Sequence, residues 1–528
     1  MVNTGQRLDI QGICEGLKNG TLMLESTKGK FAVPADLDRK VCYLSDGSVI
    51  VASSYKSDPL FLDYLNTLTR GGLEYEITPA DLTDIERILN TAANTAQRDE
   101  DDAERQKQMV NLIERATSQK ASDLHLVVYE KVCHIMIRVD GDMIKLQQLS
   151  APDGISLMRC AYQTMCDTAD ETLRDNEAQD GSLKSSFVQR LGLFGARLAT
   201  RPLARGKLMV MRLLYDTSSS GEGLESLNYP PELAEAIRRF THLSHGIVIF
   251  SGPTGSGKSM AMQRSLENMI RYFENRLHVL TIENPPEYRI EGANQTPLSH
   301  HGSWAADIKN SMRLDPDVMM IGEIRDLDSA LAGFRAAMTG HGIWTTLHTN
   351  DSTSVVDRLF DLGVEKSLLL DPSLLRGIVS QNLVQHLCPH CSTGIDKAEI
   401  SIPDDMRERL DRYVDLKAVR FRHKDGCARC KHRGIIGRLP VAEVLQPNHS
   451  FFETYINEGK AAARRFWLEK MGGVSKTQHL IRLINQGKVD PFEGEKSVGP
   501  IDDDYRTIGY VAEALPASSR PASRVEIA

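Results

Sequence analysis

Gly252-Pro-Thr-Gly-Ser-Gly-Lys-Ser259 sets glycines, a lysine and a hydroxyl where a polyphosphate could be held. The stretch fits G-x-x-x-x-G-K-[ST] at every required position. Glycines let backbone N–H groups curl around a β-phosphate, and a helix N-terminus behind them adds positive potential. Lys258 would reach the β/γ-phosphates, and the Ser259 hydroxyl would hold Mg²⁺. The nucleotide-binding candidates are Gly252, Pro253, Thr254, Gly255, Ser256, Gly257, Lys258, Ser259 and Met260, with ATP and Mg²⁺ as ligands. The flanks suit that use. Gly246-Ile-Val-Ile-Phe250 is a β-branched apolar run that predicts a buried strand. Met260 to Tyr272, without Gly or Pro, predicts a helix.

Two more runs end in acids. His278-Val-Leu-Thr-Ile-Glu283 predicts a strand closed by Glu283, before Asn284-Pro-Pro-Glu-Tyr288. Asp317-Val-Met-Met-Ile-Gly-Glu-Ile-Arg-Asp326 predicts another, closed by Glu323. In parallel α/β sheets, the C-terminal strand ends face the ligand crevice, so both acids should approach the nucleotide. Glu323 is the better candidate for polarising an attacking water. Its competing use is a surface ion pair with Arg325, and Glu283 could instead cap a turn. The usual metal-binding Asp of such a strand is absent, with Gly322 in its place, so Mg²⁺ would rely on Ser259, phosphate oxygens and water. Ile343 to Leu347 predicts a further strand, closed by His348. His348 could hydrogen-bond the γ-phosphate and report its presence, or be structural. His341 is the weaker of the two histidines.

Cys388-Pro-His-Cys391 and Cys427-Ala-Arg-Cys430 are two C-x2-C knuckles, 35 residues apart. Four thiolates make a closed tetrahedral Zn²⁺ site of the structural type. A redox dithiol would need only one pair. The other cysteines (Cys14, Cys42, Cys133, Cys160, Cys166) read as small buried residues.

The elements that position these groups must be spread over several domains. At ~150 residues per domain, 528 residues suggest three or four. We divide the chain into a small α/β domain (1–96), a charged linker or solvated helix start (97–106), a second N-terminal domain (107–215), a linker (216–227), an α/β nucleotide-binding block (228–490) and a disordered tail (491–528), rich in Gly, Pro, Ser, Asp and Ala with little apolar periodicity. The first domain shows no motif, and its Phe61, Leu62, Tyr64 and Leu65 read as core. In the second, Asp140-Gly141 and Asp180-Gly181 mark turns between alternating strands. The net charge of -8, with basic residues evenly spread, points away from direct nucleic-acid binding. No apolar run approaches the ~20 residues of a membrane helix, and no signal peptide is evident. A cytoplasmic protein that meets a membrane through partners is expected.

Taken together, the motifs resemble the secretion superfamily ATPases that power type IV pili and type II secretion. The resemblance rests on Gly252 to Ser259 and on Thr281-Ile-Glu-Asn-Pro-Pro-Glu-Tyr288. It extends through Arg313-Leu-Asp-Pro-Asp-Val-Met-Met-Ile-Gly-Glu-Ile-Arg-Asp326 and Gly340-His-Gly-Ile-Trp-Thr-Thr-Leu-His-Thr-Asn-Asp351. Upstream it includes Ala121-Ser-Asp-Leu-His125, Arg138-Val-Asp-Gly141 and Gln179-Asp-Gly181. It covers about 107 to 447. It implies an α/β, multi-domain chain, with a RecA-like P-loop ATPase domain preceded by an α+β, PAS-like domain and a small first domain. It also implies a homo-hexameric ring and ATP hydrolysis in a cleft between the two larger domains. Arginines of the N-terminal domain would neutralise γ-phosphate charge. The matching positions are Arg197 and Arg212, with Arg201 and Arg205 as unranked neighbours. The implied partner is an inner-membrane platform protein of a pilus or secretion machine. A tetracysteine element occurs in the assembly and secretion ATPases of this family, and generally not in pilus retraction ATPases. Pilin polymerisation in type IV pilus assembly is the leading expectation. Type II secretion, conjugation-type type IV secretion and a weakly hydrolysing ATP-dependent scaffold are the alternatives. Three departures stand out: Asn284 where the family usually has Asp, the Gln381-Asn-Leu-Val-Gln-His-Leu-Cys388 stretch in place of one richer in Arg, and an unmatched first ~95 residues.

Overall fold

The computed structural model describes residues 9–25, 31–167, 172–216, 221, 223–299, 302–397 and 401–511, with backbone alone at 96–100 and 397. The first unit has a three-stranded sheet of Val41–Tyr43, Ser48–Ala52 and Glu76–Ala80, with Ser48–Ala52 in the middle. Alternate residues of a strand point to opposite faces. Cys42, Ile50 and Ala52 therefore pack with Cys14 and Leu17 of the helix Ile10–Lys18. Val49 and Val51 pack on the other face with Phe61, Tyr64 and Leu65 of the helix Pro59–Arg70. Leu62 does not join this core; it is exposed.

The charged stretch at 97–106, read as a linker or the start of a solvated helix, is the middle of one 36-residue helix, Leu82–Thr117, about 54 Å long at 1.5 Å per residue. Its first turns bury Ile85 and Ile88 in the first unit, and its last turns bury Met109, Ile113 and Ala116 in the second. The charged middle lacks Gly and Pro and is rich in good helix formers. A helix without an apolar face suits a bridge between two cores.

The second unit is a six-stranded antiparallel sheet. Its order is Asp142–Ser150, Val132–Val139, Asp123–Val128, Gly206–Tyr215, Leu193–Leu203, Gln179–Ser182. The helix Ala151–Met165 and the end of the long helix cover one face. Arg138, Asp123, Arg212 and Arg197 sit side by side in register across four neighbouring strands.

The third unit holds a seven-stranded sheet in the order Ala293–Pro297, Val279–Glu283, Val318–Ile321, Gly342–Leu347, Gly246–Ser251, Leu375–Leu387, Ile435–Leu445. The first six are parallel, and only the last runs antiparallel to its neighbour. Gly246–Ser251 and Gly342–Leu347 are buried along their whole length, as strands covered on both faces are. Val248 and Phe250 face Met262 and Leu266 of the helix Lys258–Tyr272. Ile247 and Ile249 face the layer that includes Phe334 of the helix Leu327–Met338.

The tail expected to be disordered from 491 is ordered as far as 511. It forms the helices Pro491–Val498 and Asp503–Ile508, whose neighbourhood buries Ile501 and Ile508. Pro491 starts its helix rather than breaking one: Asp490 caps it, accepting the Phe492 N–H at 2.9 Å. Residues 512–528 and part of the linker at 216–227 lie outside the described residues. Among the described residues, no helix is long and apolar enough to cross a membrane.

Candidate nucleotide-binding site

The strand Gly246–Ser251 delivers the chain into the phosphate loop at the C-terminal edge of the parallel sheet. Two glycines there are required by geometry. Gly252 has φ +141, and a Cβ on it would lie 2.2 Å from the Gln381 carbonyl oxygen. Gly257 caps the next helix with φ +84. Gln381 also donates its side-chain amide to the Ser256 carbonyl at 2.7 Å, and Tyr229 donates its hydroxyl to Gln381 Oε1. The loop is thus held from the neighbouring strand. Pro253, Thr254 and Gly255 are exposed, and Ser259 and Met260 are half-buried. Lys258 is buried and folds back, donating to the carbonyls of Gly252 at 2.8 Å and Pro253 at 3.1 Å. Burial pulls its ammonium down to about 8, against Glu323 and Glu287, which favour the charge.

Glu323 lies just past the strand Val318–Ile321 and His348 just past Gly342–Leu347. Glu323 accepts from Arg325 Nε at 2.8 Å and lies 3.4 Å from His348 Nε2. The ion pair with Arg325 is therefore real, and it coexists with the approach to His348. Burial and the Lys258 charge lower the His348 pKa, while Glu323 and the Gly252 backbone oppose them. Lys258, Glu323 and His348 share one neighbourhood above the loop. Glu283 is buried and turned inward, accepting from Thr281 at 2.7 Å and Gln295 at 2.9 Å through one oxygen. Burial raises its pKa, against those two donors. His341 lies at the other end of its strand and contacts Thr339 and the Ala336 carbonyl.

One acid that the sequence motifs do not single out joins this group. Glu287 bears on Lys258 electrostatically and lies 3.7 Å from Arg197 of the six-stranded sheet. The signal was present as the second acid of Thr281-Ile-Glu-Asn-Pro-Pro-Glu-Tyr288. Arg212 stands directly opposite Arg197 and pairs with Asp123 at 3.3 Å. Burial and Glu287 push the Tyr288 hydroxyl up to about 12, with Arg212 and Arg438 opposing. The arginine face therefore meets the acidic segment across the domain boundary. Arg201 and Arg205 lie farther along, exposed. A second contact joins the same units. Gln385 donates to the Asp140 carbonyl at 3.1 Å and to Asp142 at 3.0 Å, Arg422 pairs with Asp142 at 2.9 Å, and Arg433 pairs with Asp140.

Arg433 follows the second cysteine knuckle. Cys388 and Cys427 are 3.9 Å apart at sulfur, Cys391 and Cys430 3.8 Å, and Cys427 and Cys430 3.8 Å. All four sulfurs lie within 4.8 Å of one another. Tetrahedral Zn²⁺ with bonds of about 2.3 Å sets its sulfurs roughly 3.8 Å apart, so the donor set fits that ion. Burial pushes the Cys430 thiol up, but backbone N–H donors, those of Cys427 at 3.1 Å and Gly434 at 3.2 Å among them, bring it down to about 6. The five remaining cysteines are buried. Burial pushes Cys42 and Cys166 up to about 12.

Residues 98–489 match the family described as Type II/IV secretion system protein. The Type II secretion system ATPase E of Vibrio cholerae is 33% identical over 352 residues, 66% of each chain. The Type IV pilus assembly ATPase PilB of Thermus thermophilus is 32% identical over 407 residues, 72% of this chain and 44% of that one. The chain thus spans about two thirds of the first relative and less than half of the second. The solved structure of the Legionella pneumophila ATPase DotB superposes with a TM-score of 0.51 at 21% identity, over 73% of this chain and 93% of that one. That likeness supports the RecA-like, multi-domain α/β fold. Because the match runs through the phosphate loop, both acidic strands and the cysteine knuckles, the chain belongs to the Type II/IV secretion system protein family.

Proposed function

We propose that this chain is a cytoplasmic ATPase, working as a hexamer, whose hydrolysis of ATP powers pilin polymerisation in type IV pilus assembly. The observation that carries the reading is the convergence of Lys258, Glu323 and His348 over the phosphate loop, with Arg197 3.7 Å from Glu287 across the domain boundary. The loop N–H groups take the β- and γ-phosphates. Lys258 gives up the Gly252 and Pro253 carbonyls for phosphate oxygens. Ser259 would hold Mg²⁺, which neutralises phosphate charge when bound. Glu323 orients and polarises the water whose oxygen bonds to the γ-phosphorus as the bond to the bridging oxygen breaks. ADP and phosphate leave. His348, beside both Glu323 and Lys258, reads whether the γ-phosphate is present. Arg197 and Arg212 exchange their carboxylate partners for transition-state charge, a role suited to a fixed guanidinium fork. Glu283, held by Thr281 and Gln295, supports the floor of the cleft.

Opening and closing of that cleft would move an inner-membrane platform protein, the expected partner. Cys388, Cys391, Cys427 and Cys430 would hold Zn²⁺ in a closed site that fastens the 388–430 insertion, with no part in hydrolysis. Similarity to the Vibrio cholerae ATPase favours type II secretion as the second reading. The test pairs turnover with phenotype. Purified wild type should hydrolyse ATP, Glu323→Gln should lose at least ~100-fold, and only wild type should restore pili to cells lacking the gene. Equal, near-zero turnover of both proteins would support an ATP-dependent scaffold instead. Normal pili without the gene would move the assignment to secretion.

A further inference from the structure

Behind His348 lies a dense buried set of charges. Glu443, in the strand Ile435–Leu445, is 0% exposed. One of its oxygens accepts the Ser352 N–H at 2.6 Å, and the other accepts the Lys476 N–H at 3.2 Å. The Arg464 guanidinium forks onto both oxygens, at 3.2 and 3.1 Å. Arg464 also lies 3.8 Å from Asp351 and 3.4 Å from Asp504. Lys476, 6% exposed, donates its ammonium to the Asn350 carbonyl and to Asn382 Oδ1.

Three successive residues are therefore gripped at three different groups: the carbonyl of Asn350, the carboxylate of Asp351 and the N–H of Ser352. Thr349 adds a bond from its hydroxyl to the Asp351 carbonyl at 3.1 Å. The grips come from the last strand of the sheet and from the helices Lys460–Lys470 and Lys476–Asn485. The gripped segment begins two residues after His348. Burying charges costs several kcal/mol per ion, and well-packed apolar residues often stabilise as much or more. Stability is thus a poor reason for this arrangement. What charge-assisted bonds add is one fixed geometry.

We propose that Glu443, Arg464 and Lys476 are positioning residues for hydrolysis. They lock residues 350–352 so that His348 stays against Glu323 above the phosphate loop. The inference rests on the hydrolytic reading of the cleft. It makes the C-terminal helices part of the site without contact to nucleotide.

A double-mutant cycle tests it, using full-length wild type, Lys476→Met, His348→Ala and the double variant. Turnover and the affinity for a fluorescent ATP analogue are measured on each, with melting curves as the folding control. Lys476→Met should lower kcat about 10-fold with affinity within about 3-fold, and should lower it less than about 2-fold further once His348 is Ala. If Lys476→Met does not fold, Asp504→Asn at the far end of the set replaces it under the same criterion. Unchanged kcat, or an equal loss with and without His348, overturns the positioning role alone. A wild-type protein that binds the analogue and turns over no ATP overturns the hydrolytic reading, and this inference with it.

Discussion

Two clusters of charge flank His348, and they differ in how their partners are held. On the cleft side, the hydrogen bonds of Lys258 among the described residues go to two loop carbonyls, and Glu323 shares its oxygens between Arg325 and His348 with its side chain 24% exposed. On the far side, Glu443, Arg464 and Lys476 are buried and each holds several partners. A polyanion site needs partners it can give up, because ligand oxygens must replace them. A positioning set needs partners it keeps. Residue type alone does not separate the two roles, since both clusters combine Glu with Lys or Arg. Burial and the number of fixed bonds do.

The largest effect should come from breaking the exchangeable side. Lys258→Ala should weaken ATP affinity on the order of 1,000-fold, read by titration with a fluorescent analogue, because a buried charge contact to phosphate is lost. A loss below about 10-fold would mean the loop carbonyls are its permanent partners. Next comes a cluster that belongs wholly to the fixed kind. Cys427→Ser should remove about 3 kcal/mol and lower the melting temperature by roughly 6–12 °C. A chelator should do the same to wild type. kcat per folded molecule should stay near wild type, and a selective loss of kcat would place the cysteines in the reaction.

The smallest effect sharpens the comparison through pH. Burial pushes the Asp351 carboxyl up, but Ser354, Thr353, Arg464 and Lys460 outweigh it and hold it at about 2. A carboxylate depressed in the folded state stabilises above its ordinary value of 3.8, and that stability fades as pH falls toward 2. Asp351→Asn should therefore cost about 2 kcal/mol at pH 7 in urea unfolding, with the gap narrowing below about pH 4. A gap that widens on acidification would reverse the sign of its pairing.

How far the sequence reveals this depends on distance along the chain. The phosphate loop is a continuous strand, turn and helix, so its residues declare themselves within 27 positions, Gly246 to Tyr272. Glu323 and His348 are legible because strand ends of a parallel sheet converge on one crevice. The fixed cluster is not legible. Asp351, Glu443, Arg464, Lys476 and Asp504 come from five segments and follow no local spacing. The meeting of Arg197 with Glu287 is hidden for the same reason. Composition marks 97–106 as coreless and leaves a loose linker and a solvated helix both open, since polar residues suit either; the cores at both ends of Leu82–Thr117 decide for the helix. From 491 the polar, Gly- and Pro-containing composition reads as disorder, because the burial of Ile501 and Ile508 beyond the Asp490-capped helix Pro491–Val498 depends on distant partners.

The arginine face and the phosphate loop belong to different sheets, and Glu287, between Arg197 and Lys258, links them as two halves of one proposed site. The most direct test is single-turnover hydrolysis of bound ATP by Arg197→Ala, beside its affinity for ADP. The rate should fall on the order of 100-fold or more, while ADP affinity changes less than about 3-fold. A wild-type rate in this variant would contradict the shared site and confine the chemistry to the ATPase domain.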